Sequence, residues 1–280
     1  MILWQNSYDI YIYRALSLIN NKFNELRKEK RLALMPFLIA GDPSLELTSK
    51  ILLTLQDQGA DLIELGIPYS DPLADGPIIQ LAASRALREG TSLLKVLNLL
   101  SNLKNKLRIP IVLFTYFNPL LNFGFSTFCK SASEAGVSGL IIPDLPLEEV
   151  KEVSEIARQF NLDLILLVAP TTPFQRMKSI SEKTRGFTYL VSVTGVTGER
   201  NNLENRVENL ITKLKNISTN PIAVGFGISS PEHVQRVKKW GADGVIVGSA
   251  FVKRIYESDK NSVLNIVGDF CKKMRIAANE

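Results

Sequence analysis

Short apolar runs alternate along this chain with longer stretches in which apolar side chains recur at every third or fourth position. The runs lie at 34–40, 61–66, 110–115, 139–142, 162–168, 187–191, 222–224 and 244–247. Each is nearly continuous in apolar character, as expected of strands buried on both faces of a parallel sheet. The intervening segments carry helical spacing at 45–58, 78–88, 92–103, 125–135, 147–159, 174–183, 203–214 and 231–240, and helices at 250–256 and 263–277 close the chain. An additional helix at 16–31, with Leu16, Ile19, Phe23 and Leu26 on one face, precedes the first strand. Ser44 stands where it would cap the helix that follows the first strand.

Eight strands, each followed by a helix, predict an α/β fold: a single-domain (β/α)8 TIM barrel over 16–280 with one extra N-terminal helix. An open doubly wound sheet is the alternative arrangement of the same elements. The length of 280 residues suits one barrel, since such domains run to about 250 residues. No linker rich in Ser, Gly or Pro divides the chain. Residues 1–15, with Trp4 and three tyrosines, fall outside the pattern and are set apart as an N-terminal extension of unknown order.

Composition narrows the function little. The net charge of +5 is mild, and the densest basic run, at 27–31, is broken by Glu29; it reads as a solvated helix end, not a nucleic-acid patch. No apolar run reaches the length of a membrane span. Cys129 and Cys271 match no metal or redox spacing. They suit a reducing compartment, so a cytoplasmic location is expected, or a plastid stroma if the chain is organelle-encoded.

The strand ends carry the chemistry. Active sites of such barrels lie at the C-terminal ends of the strands, and phosphate sites commonly follow strands 7 and 8. Gly225 and Gly227 follow the seventh strand, Gly248 and Ser249 the eighth, and Thr194-Gly195-Val196-Thr197-Gly198 the sixth. Glycine lets backbone N–H groups approach an anion closely, and a helix start behind it adds a favourable dipole. The single histidine, His233, sits at a helix start, and without a second histidine or clustered cysteines neither a metal site nor a His-dependent triad is expected. No lysine stands out at a strand end for Schiff-base chemistry. Carboxylates and aromatics remain: Glu64, Asp71, Asp75, Asp144, Phe37, Tyr116 and Tyr189. Glu64 is the most telling, because it points to the same face as Leu62 and Gly66 within a buried strand. A buried charge must find a partner or do chemistry. Acid–base work on a phosphorylated, partly apolar substrate is the expectation.

The stretch Leu62-Ile63-Glu64-Leu65-Gly66-Ile67-Pro68-Tyr69-Ser70-Asp71-Pro72-Leu73-Ala74-Asp75-Gly76-Pro77 closely resembles the signature of the tryptophan synthase α subunit family. The resemblance extends through Pro36-Phe37, Gly41-Asp42-Pro43, Thr194 to Gly198, Gly225 to Pro231 and Gly248-Ser249-Ala250, about residues 16–277. It implies a lyase of tryptophan biosynthesis that cleaves indole-3-glycerol phosphate, reversibly and by a retro-aldol step, to indole and D-glyceraldehyde 3-phosphate. Glu64 would be the general acid–base, and Asp75 would stabilise the ring nitrogen as it becomes positive. Gly198, Gly227, Gly248 and Ser249 would hold the phosphate. Thr197 would lock the loop after strand 6 over the substrate and meet Asp75. Phe37, Tyr116, Tyr189 and Phe226 would lie near the indole ring. Asp71 and Pro72 would contact the partner, a pyridoxal-phosphate β subunit in an α2β2 heterotetramer; no cofactor or metal is expected on this chain itself. A self-sufficient lyase, a sugar-phosphate isomerase and a non-catalytic activator on the same scaffold are the competing readings.

Overall fold

The computed structural model describes residues 17–191, 200–225 and 227–280. Helix α1 (Leu18–Lys28) leads into β1 (Ala33–Ile39), α2 (Leu45–Asp57) and β2 (Ile63–Gly66). A long loop then reaches α3 (Pro77–Arg88), α4 (Leu93–Leu103), β3 (Ile111–Phe114), α5 (Phe117–Phe123) and α6 (Phe125–Glu134). The chain continues through β4 (Val137–Ile141), α7 (Val150–Gln159), β5 (Asp163–Val168), α8 (Phe174–Lys183) and β6 (Thr188–Val191). It closes with α9 (Arg200–Ile217), β7 (Ile222–Gly225), α10 (Pro231–Lys239), β8 (Gly244–Val247), α11 (Ser249–Glu257) and α12 (Val263–Asn279).

The strands pair in chain order, every neighbour parallel, and β1 pairs β8, so the sheet is a closed barrel rather than an open one. Alternation along each strand sorts the side chains into two layers. Ala33, Met35 and Phe37 of β1 face the barrel interior with Val112, Ile141, Ile165 and Ala223, whereas Leu34, Leu38, Ile63 and Leu65 pack outward against the helices. Glu64 lies opposite Phe37 across β1 and β2 and shares its inward face, as the alternation predicts.

The N-terminal rim of the barrel is plugged by α1. Ser17 caps this helix, accepting from the Asn20 N–H at 3.3 Å, and Ile19, Phe23 and Leu26 are buried beneath the barrel. The Phe23 ring lies 5.7 Å from that of Phe187. Each such side chain contributes roughly 1.5–3 kcal/mol on burial. Three aspartates on this rim are engaged. Asp163 accepts from Ser17 and Arg185; Asp61 accepts from the Leu34 N–H at 2.9 Å and pairs Arg275; Asp243 accepts from the Ile222 N–H at 3.0 Å and from Arg27 at 3.3 Å. They hold the bottom of the barrel together.

Helix boundaries follow the expected spacing closely, and Ser44 caps α2 by accepting from the Leu47 N–H at 3.1 Å. One helix was not expected. Residues Phe117–Phe123 form α5 where Asn118, Pro119, Asn122 and Gly124 read as loop. Pro119 falls in the first turn, where its missing N–H costs nothing, and Asp144 accepts from the Phe117 N–H at 2.9 Å, satisfying another free donor of that turn. The extension 1–15, Leu16, the glycine-rich segment Thr194–Gly198 and Phe226 lie outside the described residues.

Candidate active site

A cavity of about 850 Å³ opens at the C-terminal ends of the strands. Its floor is Phe37, Glu64, Phe114, Tyr189 and Ile246; the β7 and β8 ends contribute Gly225, Gly227, Ser229, Gly248 and Ser249; the loop after β2 brings Ala74, Asp75 and Gly76. The expected acids therefore meet the expected glycines at a single site. Thr197, Gly198 and Phe226 lie outside the described residues.

Glu64 is fully buried, and neither carboxylate oxygen has a hydrogen-bond partner among the described residues. Burial pushes its pKa up to about 8, and the negative charge of Asp75 adds to the rise. The Tyr189 hydroxyl faces the carboxylate and opposes the rise in part, without reaching hydrogen-bond geometry. Gly225 makes room for that hydroxyl: a Cβ there would lie 2.7 Å from the Tyr189 oxygen. At neutral pH Glu64 is thus mostly a carboxylic acid with a proton to give.

Asp75 differs. It sits on the loop rather than on a strand and is partly exposed. Desolvation lifts its pKa to about 6, opposed by a hydrogen bond from the Tyr116 hydroxyl at 3.0 Å. It is therefore mostly ionised at pH 7. The site holds one neutral and one charged carboxyl group, the division of labour that acid–base chemistry uses.

On the opposite wall, Gly227 takes a φ of 43°, and a Cβ added there would meet nothing within 4 Å. Gly248 precedes the first turn of α11, where Phe251 and Val252 N–H groups already turn back to the Gly248 carbonyl. The free N–H groups at such a helix start favour an anion. Ile228 is buried and Ser229 donates its N–H to the His233 ring at 3.3 Å. His233 is thus engaged in holding the turn after β7.

Other residues singled out from the sequence lie around the cavity. Tyr116 is buried, 3% exposed, and its hydroxyl is bonded to the Asp75 loop beside the residues that line the cavity. Asp71 is exposed and Pro72 half-buried, and neither lines the cavity. Asp144 secures α5. Conversely, Phe114, Ile246 and Arg176 line the cavity without having been singled out. Phe114 and Ile246 were accessible by counting alternate residues along their strands; Arg176 was not, because it arrives from α8. Its guanidinium lies 3.6 Å from Glu148. Among the described residues no group of His, Cys, Asp and Glu could hold a metal ion.

Comparison with known proteins agrees with the geometry. The family model for the tryptophan synthase alpha chain matches residues 23–279. A tryptophan synthase alpha chain of Prochlorococcus marinus subsp. pastoris is 70% identical over 269 residues, 96% of each chain. One from Synechococcus elongatus is 52% identical, over 94% of this chain and 97% of its own. A solved tryptophan synthase subunit alpha from Legionella pneumophila matches with a TM-score of 0.87 at 35% identity, over 94% of this chain and 99% of that one. This chain belongs to the tryptophan synthase alpha chain family.

Proposed function

We infer that the chain is a lyase acting as the α subunit of tryptophan synthase, cleaving indole-3-glycerol phosphate reversibly to indole and D-glyceraldehyde 3-phosphate. The observation that carries the assignment of roles is Glu64: a fully buried carboxyl group without a hydrogen-bond partner among the described residues, lining the cavity with Asp75.

In the proposed mechanism Glu64, protonated at neutral pH, gives its proton to indole C3. The carbon becomes tetrahedral and the ring nitrogen carries positive charge, which the ionised Asp75 stabilises through the ring N–H. The Glu64 carboxylate then takes the proton of the C3′ hydroxyl. The electrons of that O–H bond form the aldehyde carbonyl, and the C3–C3′ bond breaks. Its electron pair returns to the ring and neutralises the nitrogen. Indole keeps the proton delivered to C3, and Glu64 ends as it began.

Phe37 and Tyr189 flank the ring in this reading. Gly227, Gly248 and Ser249 hold the phosphate. Tyr116 enters through Asp75 instead of touching the ring. The chain itself carries no cofactor in this account; pyridoxal phosphate belongs to the partner β subunit of an α2β2 assembly. Asp71 and Pro72 face that partner beside Leu73, an apolar side chain 82% exposed. Among the described residues no helix is long and apolar enough to cross a membrane, and a cytoplasmic location fits the cyanobacterial relatives.

The test is indole release from indole-3-glycerol phosphate across pH, with and without a pyridoxal-phosphate β subunit. The rate is highest between the pKa values of about 6 for Asp75 and about 8 for Glu64, and the β subunit raises it. Full activity without the β subunit makes the chain a self-sufficient lyase; no indole under either condition removes the assignment.

A further inference from the structure

Asp75 lies on a loop, and a loop carboxylate that must meet a ring N–H needs something to aim it. Its backbone is tied down on both sides. The Asp75 N–H donates to the Pro72 carbonyl at 3.1 Å, and the Gln80 side chain donates to the Asp75 carbonyl at 2.8 Å. Neither contact orients the carboxylate. Among the described residues the side chain has one hydrogen bond, from the Tyr116 hydroxyl to Oδ2 at 3.0 Å.

The same hydroxyl accepts the N–H of Ala74 at 3.0 Å. A backbone N–H can only donate, so the phenol oxygen is the acceptor there and its single proton is left for Asp75. The direction of the bridge is fixed: Ala74 N–H to Tyr116 oxygen, Tyr116 proton to Asp75 oxygen. The ring has little freedom to leave. It stands edge-on to Phe114, centroids 6.2 Å apart at 84°, and against Tyr69 at 5.1 Å and 32°. Phe114 in turn meets Phe37 edge-on at 5.7 Å. An aromatic clamp built on β3 thus reaches across to set a loop attached to β2.

We propose that Tyr116 is a positioning residue for the cleavage reaction, its hydroxyl bridging Ala74 and Asp75 so that the loop carboxylate is held in place as a hydrogen-bond acceptor toward the substrate ring nitrogen. The inference rests on the role given to Asp75 above. It also bears on charge. The hydrogen bond favours the ionised carboxylate against desolvation, and it is the one opposing cause among the described residues. Among the described residues, Glu64 on β2 and Tyr189 on β6 are the titratable groups facing it across the cavity, and Asp144 lies beyond Tyr116. Arg176, on the same cavity wall, lies 3.6 Å from Glu148. Without the phenol proton Asp75 takes up its own proton at higher pH.

Tyr116→Phe keeps the ring and its contacts and deletes only the bridge. The full chain, saturated with β subunit, is assayed for indole release alongside Asp75→Asn. The expected result is a severe loss in Asp75→Asn. In Tyr116→Phe, kcat falls roughly ten- to a hundredfold while KM changes little, and the acid limb of the pH profile moves up by about one pH unit. A titration of carbon-13-labelled Asp75 in both proteins, followed by NMR, reads the same upward move without relying on turnover. A Tyr116→Phe protein with unchanged kcat, acid limb and Asp75 titration overturns the proposal and leaves the role of Asp75 standing. A raised KM at constant kcat also overturns it, making Tyr116 a substrate contact. A mild Asp75→Asn removes the parent reading and the inference with it.

Discussion

Glu64 and Asp75 are the same chemistry in two settings, and the settings decide what each can do. Glu64 is enclosed by barrel side chains with no hydrogen-bond partner among the described residues, so the neutral form is favoured up to a pKa of about 8. Such a group affects stability with a definite sign. An acid whose folded pKa lies above its unfolded value stabilises the fold in its protonated form. That contribution is complete below the unfolded value near 4.5 and disappears as pH rises through about 8. Glu64→Gln mimics the protonated acid and never ionises. It is expected to unfold at a higher temperature than the parent at pH 9, by an amount corresponding to a few kcal/mol in order of magnitude, with little difference at pH 5. Thermal melts at the two pH values measure it; a variant less stable than the parent at pH 9 contradicts the burial argument. At this scale the sequence was informative where a residue broke its own pattern. A glutamate inside an apolar run declares itself. The role of Tyr116 did not, because its two partners lie 41 and 42 residues away in the chain, and no local spacing signals a hydroxyl that reaches across two loops.

Elements divide between those that carry the site and those that seal the barrel. The β2 strand and its loop carry both acids, β7 and β8 carry the glycines, and α1 does neither. It fills the opposite rim with Ile19, Phe23 and Leu26. Phe23→Ala is expected to cost about 3–5 kcal/mol, the usual penalty for truncating a buried aromatic. KM for the substrate should stay unchanged, since Phe23 packs on Phe187 below the catalytic floor. Denaturant melts and steady-state kinetics on one preparation check both halves; a large change in KM with intact stability would place α1 in the site. Strands and helices were legible because both periodicities are strong over whole segments. Helix α5 was not, because its turn-forming residues outweighed a single buried Leu120 in any local reading. Tertiary contacts from Asp144 decided the matter.

Across the whole molecule, the distribution of carboxylates records the direction of the barrel. On the N-terminal rim Asp61, Asp163 and Asp243 are each bonded to an arginine and to a further donor. On the C-terminal rim Glu64 has no partner among the described residues, and Asp75 has Tyr116 alone. Paired acids hold a structure together; acids left unsatisfied in a cavity are available to a substrate. The eightfold alternation foretold which rim would be which, because parallel strands all end on one side. The shape of the cavity and the arrival of Arg176 at its wall depended on how helices lie over the rim, which periodicity does not encode.

The measurement that bears most directly on this account is the rate of indole release from indole-3-glycerol phosphate by Glu64→Gln, made at saturating substrate with the β subunit present. Gln keeps the shape of the side chain and cannot shuttle a proton. The expected result is a fall in kcat of roughly 10²–10⁴-fold or more, with activation of the β subunit retained. Turnover close to that of the parent chain would contradict it, and would mean that the buried carboxyl group does not move the proton.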